Sequence, residues 1–185
     1  RLKAKTGQLK PGLIMVGSHV PLADEQLELL LKNDSCVGVE LPVKKIANIF
    51  EGRLSDLLLS DLESDLLKSL NALLVKGKTP VLYSTRGELQ FKSIQLTVNF
   101  GNALAELMAR IVADLSPKLG YVISKGGITT HTFLEKGLKL GSVQLKGQLL
   151  PGLSLVCAEN SLKNGRLPVI TFPGNLGQKD TLLSA

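Results

Sequence analysis

The sequence has no tryptophan and few aromatic, cysteine or histidine residues. Aromatic side chains make up 4% of the 185 residues and leucine supplies 39 positions, so a core has to be built mainly from aliphatic side chains. Two cysteines, Cys36 and Cys157, cannot form a disulfide framework, and their apolar surroundings predict buried, reduced thiols. The two histidines, His19 and His131, occur without a CxxC or HExxH motif, so we assign no metal ligand.

Long hydrophobic runs are absent as well. No apolar stretch approaches the roughly 18–20 residues that span a bilayer. The basic N-terminus (RLKAKTGQLK) is not followed by a hydrophobic signal core, so we expect a cytoplasmic protein with no membrane partner. Because the first residue is Arg1 and not methionine, we expect the chain to be a segment of a longer protein.

The charge is mildly positive, with 22 lysines and arginines against 16 acidic residues and a net charge of +6. The basic residues are scattered along the chain, no predicted helix carries a basic stripe, and few aromatic residues are available for base stacking. These features argue against nucleic acid as a partner, which leaves a nucleic-acid or scaffold role as a third interpretation that rests on charge alone. A basic excess also suits a small polyanion such as a nucleotide.

Strand-like and helix-like segments alternate along most of the chain. Short apolar or alternating runs predict strands at 12–17, 36–41, 79–84, 121–124, 142–149, 153–158 and 167–172. Helical spacing of apolar residues predicts helices that begin near Pro21 and cover 56–75, 99–115 and about 129–136, with a short helix at the end. This order predicts an α/β fold in three α/β/α layers, with a largely parallel sheet flanked by helices on both faces.

Three glycine-containing loops each follow a predicted strand and precede a predicted helix: Gly17-Ser18-His19, residues 125–130 (KGGITT) and residues 173–177 (PGNLG). In a parallel sheet such loops project from the carboxyl edge, where ligands bind. Glycine lets backbone N–H groups approach an anion, and Ser18, Thr129 and Thr130 add hydroxyl donors. For any single loop, a plain turn or a threonine N-cap is the more common explanation. The convergence of all three loops on one sheet edge predicts a phosphate or nucleotide site. None of the loops matches a Walker A or GxGxxG motif.

Several segments, taken in order, resemble a known family. They are Val16-Gly17-Ser18 with the helix of Gln26-Leu27, then SKGGITTHTFLEKGL (124–138), QLLPGLSL (148–155) and ITFPGNLGQKDTL (170–182). Together they resemble the C-terminal, nucleotide-binding domain of the four-carbon acid sugar kinases, which phosphorylate erythronate, threonate or 3-oxo-tetronate with ATP.

The resemblance implies that residues 1–185 form the ATP-binding domain of a longer kinase, with Mg²⁺ accompanying the nucleotide. The implied ATP contacts are Ser18, Gly126, Gly127, Ile128, Thr129 and Gly174. The acid-sugar site of this family lies in an N-terminal domain with an Asp-rich motif. No DDxTG-like sequence occurs here, so we assign no catalytic residue and expect the isolated domain to be inactive. ATP or ADP and that N-terminal domain are the expected partners, and an oligomer is compatible with the sequence.

Two positions depart from the family pattern. Ile128 stands where many members carry an acid, and Phe172-Pro173 stands where many carry a lysine before the last glycine loop. Lys125 is a candidate substitute cation, but the sequence favours a solvated loop lysine there. The departures favour an alternative function, a non-catalytic nucleotide-binding or interaction module within a multifunctional metabolic polypeptide.

The remaining polar candidates are expected to lie on the surface. The acids of the long helix form its predicted solvated face: Asp56, Asp61, Glu63 and Asp65. His131 is expected on a helix surface. Asp114 and Asp180 have no sequence context that predicts a magnesium site.

Overall fold

The protein was analysed as a computed structural model, which describes residues 10–50, 55–87, 93–159 and 166–185. In chain order the elements are β1 (Leu13–Val16), α1 (Pro21–Leu30), β2 (Cys36–Leu41), α2 (Val43–Phe50), α3 (Ser55–Val75), β3 (Thr79–Ser84), α4 (Ile94–Leu115), β4 (Val122–Lys125), α5 (Gly127–Thr132), β5 (Gln144–Leu150), β6 (Leu153–Glu159), β7 (Arg166–Phe172) and α6 (Thr181–Ser184). A 3₁₀ turn (Ser116–Lys118) follows α4, and a π-helical turn (Phe133–Gly137) follows α5.

The strands form one sheet in the order β2-β3-β1-β4-β7-β6-β5. The first five are mutually parallel, and β6 and β5 complete the sheet as an antiparallel hairpin beside β7. After β1 the chain moves outward to β2 and back to β3, and then crosses to β4 on the other side of β1. This reversal leaves a crevice at the carboxyl ends of β1 and β4, the position where α/β sheets bind ligands.

Helices cover both faces of the sheet, which confirms the predicted α/β/α layers. Alternate residues of β1 enter two separate cores: Leu13 and Met15 pack with α2, α3 and α4, whereas Ile14 and Val16 pack with α1 and α6. All four β1 side chains are buried, because a central parallel strand has no solvent-facing side.

The observed helices differ from the prediction in three places. The helix predicted at about 129–136 is α5, which begins at Gly127 and ends at Thr132, and the π-helical turn Phe133–Gly137 follows it. Helix α4 begins at Ile94, five residues before the predicted start, because the Ser93 side chain accepts a hydrogen bond from the Leu96 N–H and caps the first turn. The sequence analysis missed α2 altogether. Its Val43, Ile46 and Ile49 are buried at helical spacing, a signal too short to separate from a loop.

Some surface and burial predictions need correction. Cys157 is buried as predicted, but Cys36 is only half-buried, because β2 is an edge strand of the sheet. Glu63 is not simply solvated, since its carboxylate pairs with Arg110 of α4 at 3.1 Å. The basic residues 1–9 and the side chain of Asp56 lie outside the described residues. Within the described ranges, no helix has the length and apolarity that a membrane span requires.

The packing of α3 gives a first prediction. Leu70 of α3 is fully buried in the core beneath the sheet, so Leu70→Ala should lower the free energy of unfolding by roughly 2–5 kcal/mol. Leu58 lies on the same helix with 46% of its surface exposed, and Leu58→Ala should cost less than about 1 kcal/mol. Urea denaturation of both variants measures the difference. Equal losses would contradict this placement of α3.

Candidate functional site

Three loops meet at the carboxyl edge of three neighbouring strands. The ends of these strands are in register, since Val16 of β1 pairs with Lys125 of β4, which pairs with Phe172 of β7. The ladder continues into the loops, where the Gly17 N–H donates to the Lys125 carbonyl at 3.0 Å and the Gly126 N–H to the Phe172 carbonyl at 2.9 Å. The structure therefore brings together the loops that the sequence analysis selected.

The loops approach one another so closely that glycine is required. Gly126 has a φ of +120°, and a β-carbon there would lie 3.1 Å from the Ser18 backbone nitrogen. A β-carbon on Gly174 would overlap the Ser18 hydroxyl, and one on Gly17 would overlap the Thr129 hydroxyl. Close packing of backbone and small hydroxyls is what a phosphate cradle needs, because it directs several N–H groups at one point.

The turn after β4 leaves one side open. A β-carbon on Gly127 would meet nothing within 4 Å, and the side chain of Ile128 is 66% exposed. The helix α5 begins at Gly127 with Gly126 as its N-cap residue, and no described side chain caps it, so neither threonine has the capping role. Thr129 is buried against Gly17.

Thr130 anchors this turn internally. Its hydroxyl contacts the carbonyls of Ser124 at 3.0 Å and Gly126 at 2.8 Å, and the Ser124 hydroxyl at 2.9 Å. Because the single hydroxyl hydrogen is committed within the turn, Thr130 shapes the loop and is not the additional anion donor that the sequence analysis expected.

The prediction of a solvated Lys125 is wrong. Lys125 is fully buried at the end of β4, and its ammonium donates to the carbonyls of Pro173 at 3.2 Å and Gly174 at 3.1 Å. It also lies 4.0 Å from the centroid of the Phe172 ring, within range of a cation–π interaction. Burial lowers the pKa of Lys125 to about 8, because desolvation disfavours the charged amine.

The sequence analysis missed Arg86, which follows β3 at the same edge. Its guanidinium donates to the Ser18 carbonyl at 2.6 Å and pairs with the Asp24 carboxylate at 3.1 Å. These contacts join the loop after β3 to the start of α1, so the backbone of Ser18 is held from two directions. The available signal was a basic residue two positions after the end of a buried strand.

The side chains of His19 and Gln26 also make hydrogen bonds that connect the segments at this edge of the sheet. His19 Nε2 lies 2.8 Å from the Ser84 hydroxyl, and burial, followed by the charge of Arg86, lowers the pKa of His19. Gln26 of α1 is fully buried and donates to the carbonyls of Leu176 at 3.0 Å and Gln178 at 2.7 Å. Gln26 thus attaches the last glycine loop to the helix after β1.

The other polar candidates lie apart from this edge or on the surface. His131 is exposed and pairs with Glu135 at 3.1 Å on the helix surface. Asp114 and Asp180 are exposed. In the part of the chain that the structure describes, no three histidine, cysteine or carboxylate side chains come together in a way that could hold a metal ion.

A family model described as "nucleotide-binding C-terminal domain" matches residues 13–182. None of the curated proteins compared with the chain matches it.

Among solved structures, the chain is similar to a domain of unknown function (DUF1537) from Bordetella bronchiseptica, a domain-swapped dimer with bound citrate. The identity is 17% and the TM-score 0.70, over 94% of this chain and 39% of the Bordetella chain. A second crystal form gives 18% identity and a TM-score of 0.65, over 95% and 38% of the two chains. The chain therefore has the fold of part of this protein and spans well under half of its length.

The burial of Lys125 predicts a pH-dependent stability. Its pKa is about 8 in the folded chain and about 10.4 in an unfolded one. Between these values the unfolded chain binds more protons, so the free energy of unfolding rises with pH. Relative to Lys125→Met, which cannot titrate, the unchanged protein should gain roughly 3 kcal/mol between about pH 7.5 and 10.5 in urea denaturation. A difference between the two proteins that is independent of pH would contradict a buried, destabilised charge.

Proposed function

This chain belongs to the family of nucleotide-binding C-terminal domains, and from that premise we propose that it is the ATP-binding domain of a kinase for four-carbon acid sugars of the erythronate, threonate or 3-oxo-tetronate type. The observation that carries the proposal is the meeting of the three glycine loops at the ends of β1, β4 and β7. The ordered segments that resemble this kinase family include all three loops.

The proposed nucleotide contacts follow from the geometry of this edge. Gly126 and Gly174 lie against Ser18, and Gly17 lies against Thr129, so the proposed contacts are Ser18, the run 126–129 and Gly174. Backbone N–H groups and the Ser18 hydroxyl would bind the phosphate oxygens. They would do so without reorganising, because Arg86 and Gln26 already hold the flanking loops.

Lys125 supplies the positive charge of the proposed site. The family lysine before the last glycine loop is replaced by Phe172, yet the Lys125 ammonium reaches the Pro173 and Gly174 carbonyls from the neighbouring strand. The Lys125 ammonium is buried against neutral carbonyls and has no counterion among the described residues, and a bound phosphate would provide one. Because Lys125 brings a positive charge to this loop, the replacement of the family lysine by Phe172 argues less strongly against nucleotide binding.

Catalysis by this chain would consist of positioning. ATP supplies the γ-phosphoryl group that is transferred, and the loops would hold its phosphates in line with a sugar hydroxyl. The described acids do not assemble a Mg²⁺ site, so we derive no step through the ion and propose it only as a companion of the nucleotide. We assign no general base to these residues.

The sugar and its hydroxyl would come from elsewhere in a longer protein. We propose that residues 1–185 act as its C-terminal domain together with an N-terminal acid-sugar domain, and that the 185-residue chain has no kinase activity alone. We also extend to this chain the self-association of the Bordetella protein, which is a domain-swapped dimer. Light scattering on the purified chain tests this last point.

Gly127→Val tests the phosphate cradle. A β-carbon at this position would meet nothing within 4 Å, so the fold should survive with valine while binding of ATP and ADP weakens at least about 100-fold in calorimetric titration. Gly141→Val is the matched control, because Gly141 has equally open surroundings but lies outside the loops. Unchanged nucleotide affinity in Gly127→Val would refute the cradle.

The kinase reaction needs a separate test. A full-length protein that carries this chain should release ADP from ATP in the presence of a four-carbon acid sugar, and the 185-residue chain should not. The alternative function, a non-catalytic nucleotide-binding module, is favoured by the exposed Ile128 at the position of a family acid. Nucleotide binding without sugar-dependent turnover in the full-length protein would establish that alternative.

A further inference from the structure

A cavity of about 230 Å³ lies beside the glycine loops, on the face of the sheet that α4 covers. It is lined by the loop after β1, the end of β3, the start of α5 and one side of α4: Gly17, His19, Ser84, Thr97, Val98, Gly101, Asn102, Leu104, Ala105, Met108, Ile128 and Thr129. This volume is below the roughly 300–1,000 Å³ of pockets that enclose a whole drug-sized ligand, so the cavity suits one part of a larger molecule.

The cavity is continuous with the proposed phosphate cradle. Gly17 and Thr129 line it, and the same two residues are in contact where the loops after β1 and β4 meet. A ligand whose phosphates bind at the glycine loops could therefore place its remaining part in the cavity without leaving the protein surface.

The chemistry of the lining favours an uncharged, apolar group. Among the described residues that line the cavity, none is lysine, arginine, aspartate or glutamate, so neither a phosphate nor a sugar carboxylate would find a permanent counterion there. Leu104, Ala105 and Met108 form an apolar wall, and the methionine thioether is a favourable neighbour for an aromatic ring.

A few polar groups stand among these apolar residues. Asn102 offers both an amide donor and an acceptor, and His19 is held by its hydrogen bond with Ser84 at 2.8 Å. Burial, followed by the charge of Arg86, lowers the pKa of His19, which favours the neutral form of its ring. An apolar cleft with a small number of polar groups is the usual composition of a site for an organic ring.

Gly101 provides an independent observation. It lies in the interior of α4, where glycine weakens a helix relative to other residues. A β-carbon on Gly101 would meet nothing within 4 Å, and Gly101 is part of the cavity wall. The helix is therefore bare where it faces the cavity, which leaves room for a flat group against its backbone.

We propose that this cavity binds the nucleobase of the nucleotide, with Gly101 and Met108 forming its floor and Asn102 determining which base edge is accepted. The proposal rests on the proposed function, because it assumes that the phosphates bind at Gly126 and Gly127. The base is thereby assigned to the α4 face of the sheet, opposite the face on which the side chain of Phe172 is buried.

Three probes separate the base from the phosphates: adenosine, tripolyphosphate and ATP, each titrated calorimetrically into the 185-residue chain. Gly101→Leu should fill the cavity, weakening adenosine and ATP at least about tenfold while leaving tripolyphosphate unchanged. Gly127→Val should have the opposite effect. Its affinity for tripolyphosphate and ATP should fall, and its affinity for adenosine should be unchanged.

Folding defects are controlled within the same helix. Leucine is a better helix former than glycine, so the melting temperature of Gly101→Leu should be equal to or higher than that of the unchanged protein. Asn99→Leu places the same side chain on α4 outside the cavity lining and should bind all three probes normally.

The outcomes distinguish a failure of the proposed base site from a failure of the proposed function. If the unchanged protein binds ATP and Gly101→Leu binds ATP and adenosine equally well, the base site is refuted and the proposed function stands. If the unchanged protein binds none of the three probes, both are refuted. Selective loss of adenosine and ATP in a stable Gly101→Leu variant supports the base site.

Discussion

The close approach of backbones at the carboxyl edge of the sheet is the constraint on which the site depends. Ser18 lies against both Gly126 and Gly174, and each contact exists only because glycine has no β-carbon. Since β1, β4 and β7 are neighbours in the sheet, their loops meet there even though they come from opposite ends of the sequence. The crossing of the chain from β3 to β4 is what makes these loops converge on one crevice.

A buried positive charge accompanies this convergence. Lys125 loses hydration, and in return it makes hydrogen bonds to two carbonyls and a contact with the Phe172 ring. Neutral carbonyls compensate a buried ammonium less well than a carboxylate does, so the unliganded edge retains an electrostatic attraction for anions. The buried charge of Lys125 thus lowers the stability of the folded chain, and the same charge would strengthen the binding of a nucleotide phosphate.

Sequence patterns predicted the α/β layers and the glycine loops, because strand periodicity, helix-stopping residues and turn glycines act over a few neighbouring positions. They did not predict the burial of Lys125, since the groups that cover it lie 48 and 49 positions further along the chain. The role of Arg86 was missed for the same reason, because its partners Ser18 and Asp24 belong to another loop and helix. The early start of α4 could have been predicted from the sequence, because Ser93 caps its first turn.

The most direct test of the central claim is a crystal structure of the chain with a non-hydrolysable ATP analogue. Our account predicts the phosphates within hydrogen-bond distance of the backbone amides of Gly127, Ile128 and Ser18, because the Gly126 N–H is already bonded to the Phe172 carbonyl, with the base on the α4 side of the sheet. A nucleotide bound at the opposite edge of the sheet, or phosphates that do not touch the glycine loops, would contradict it.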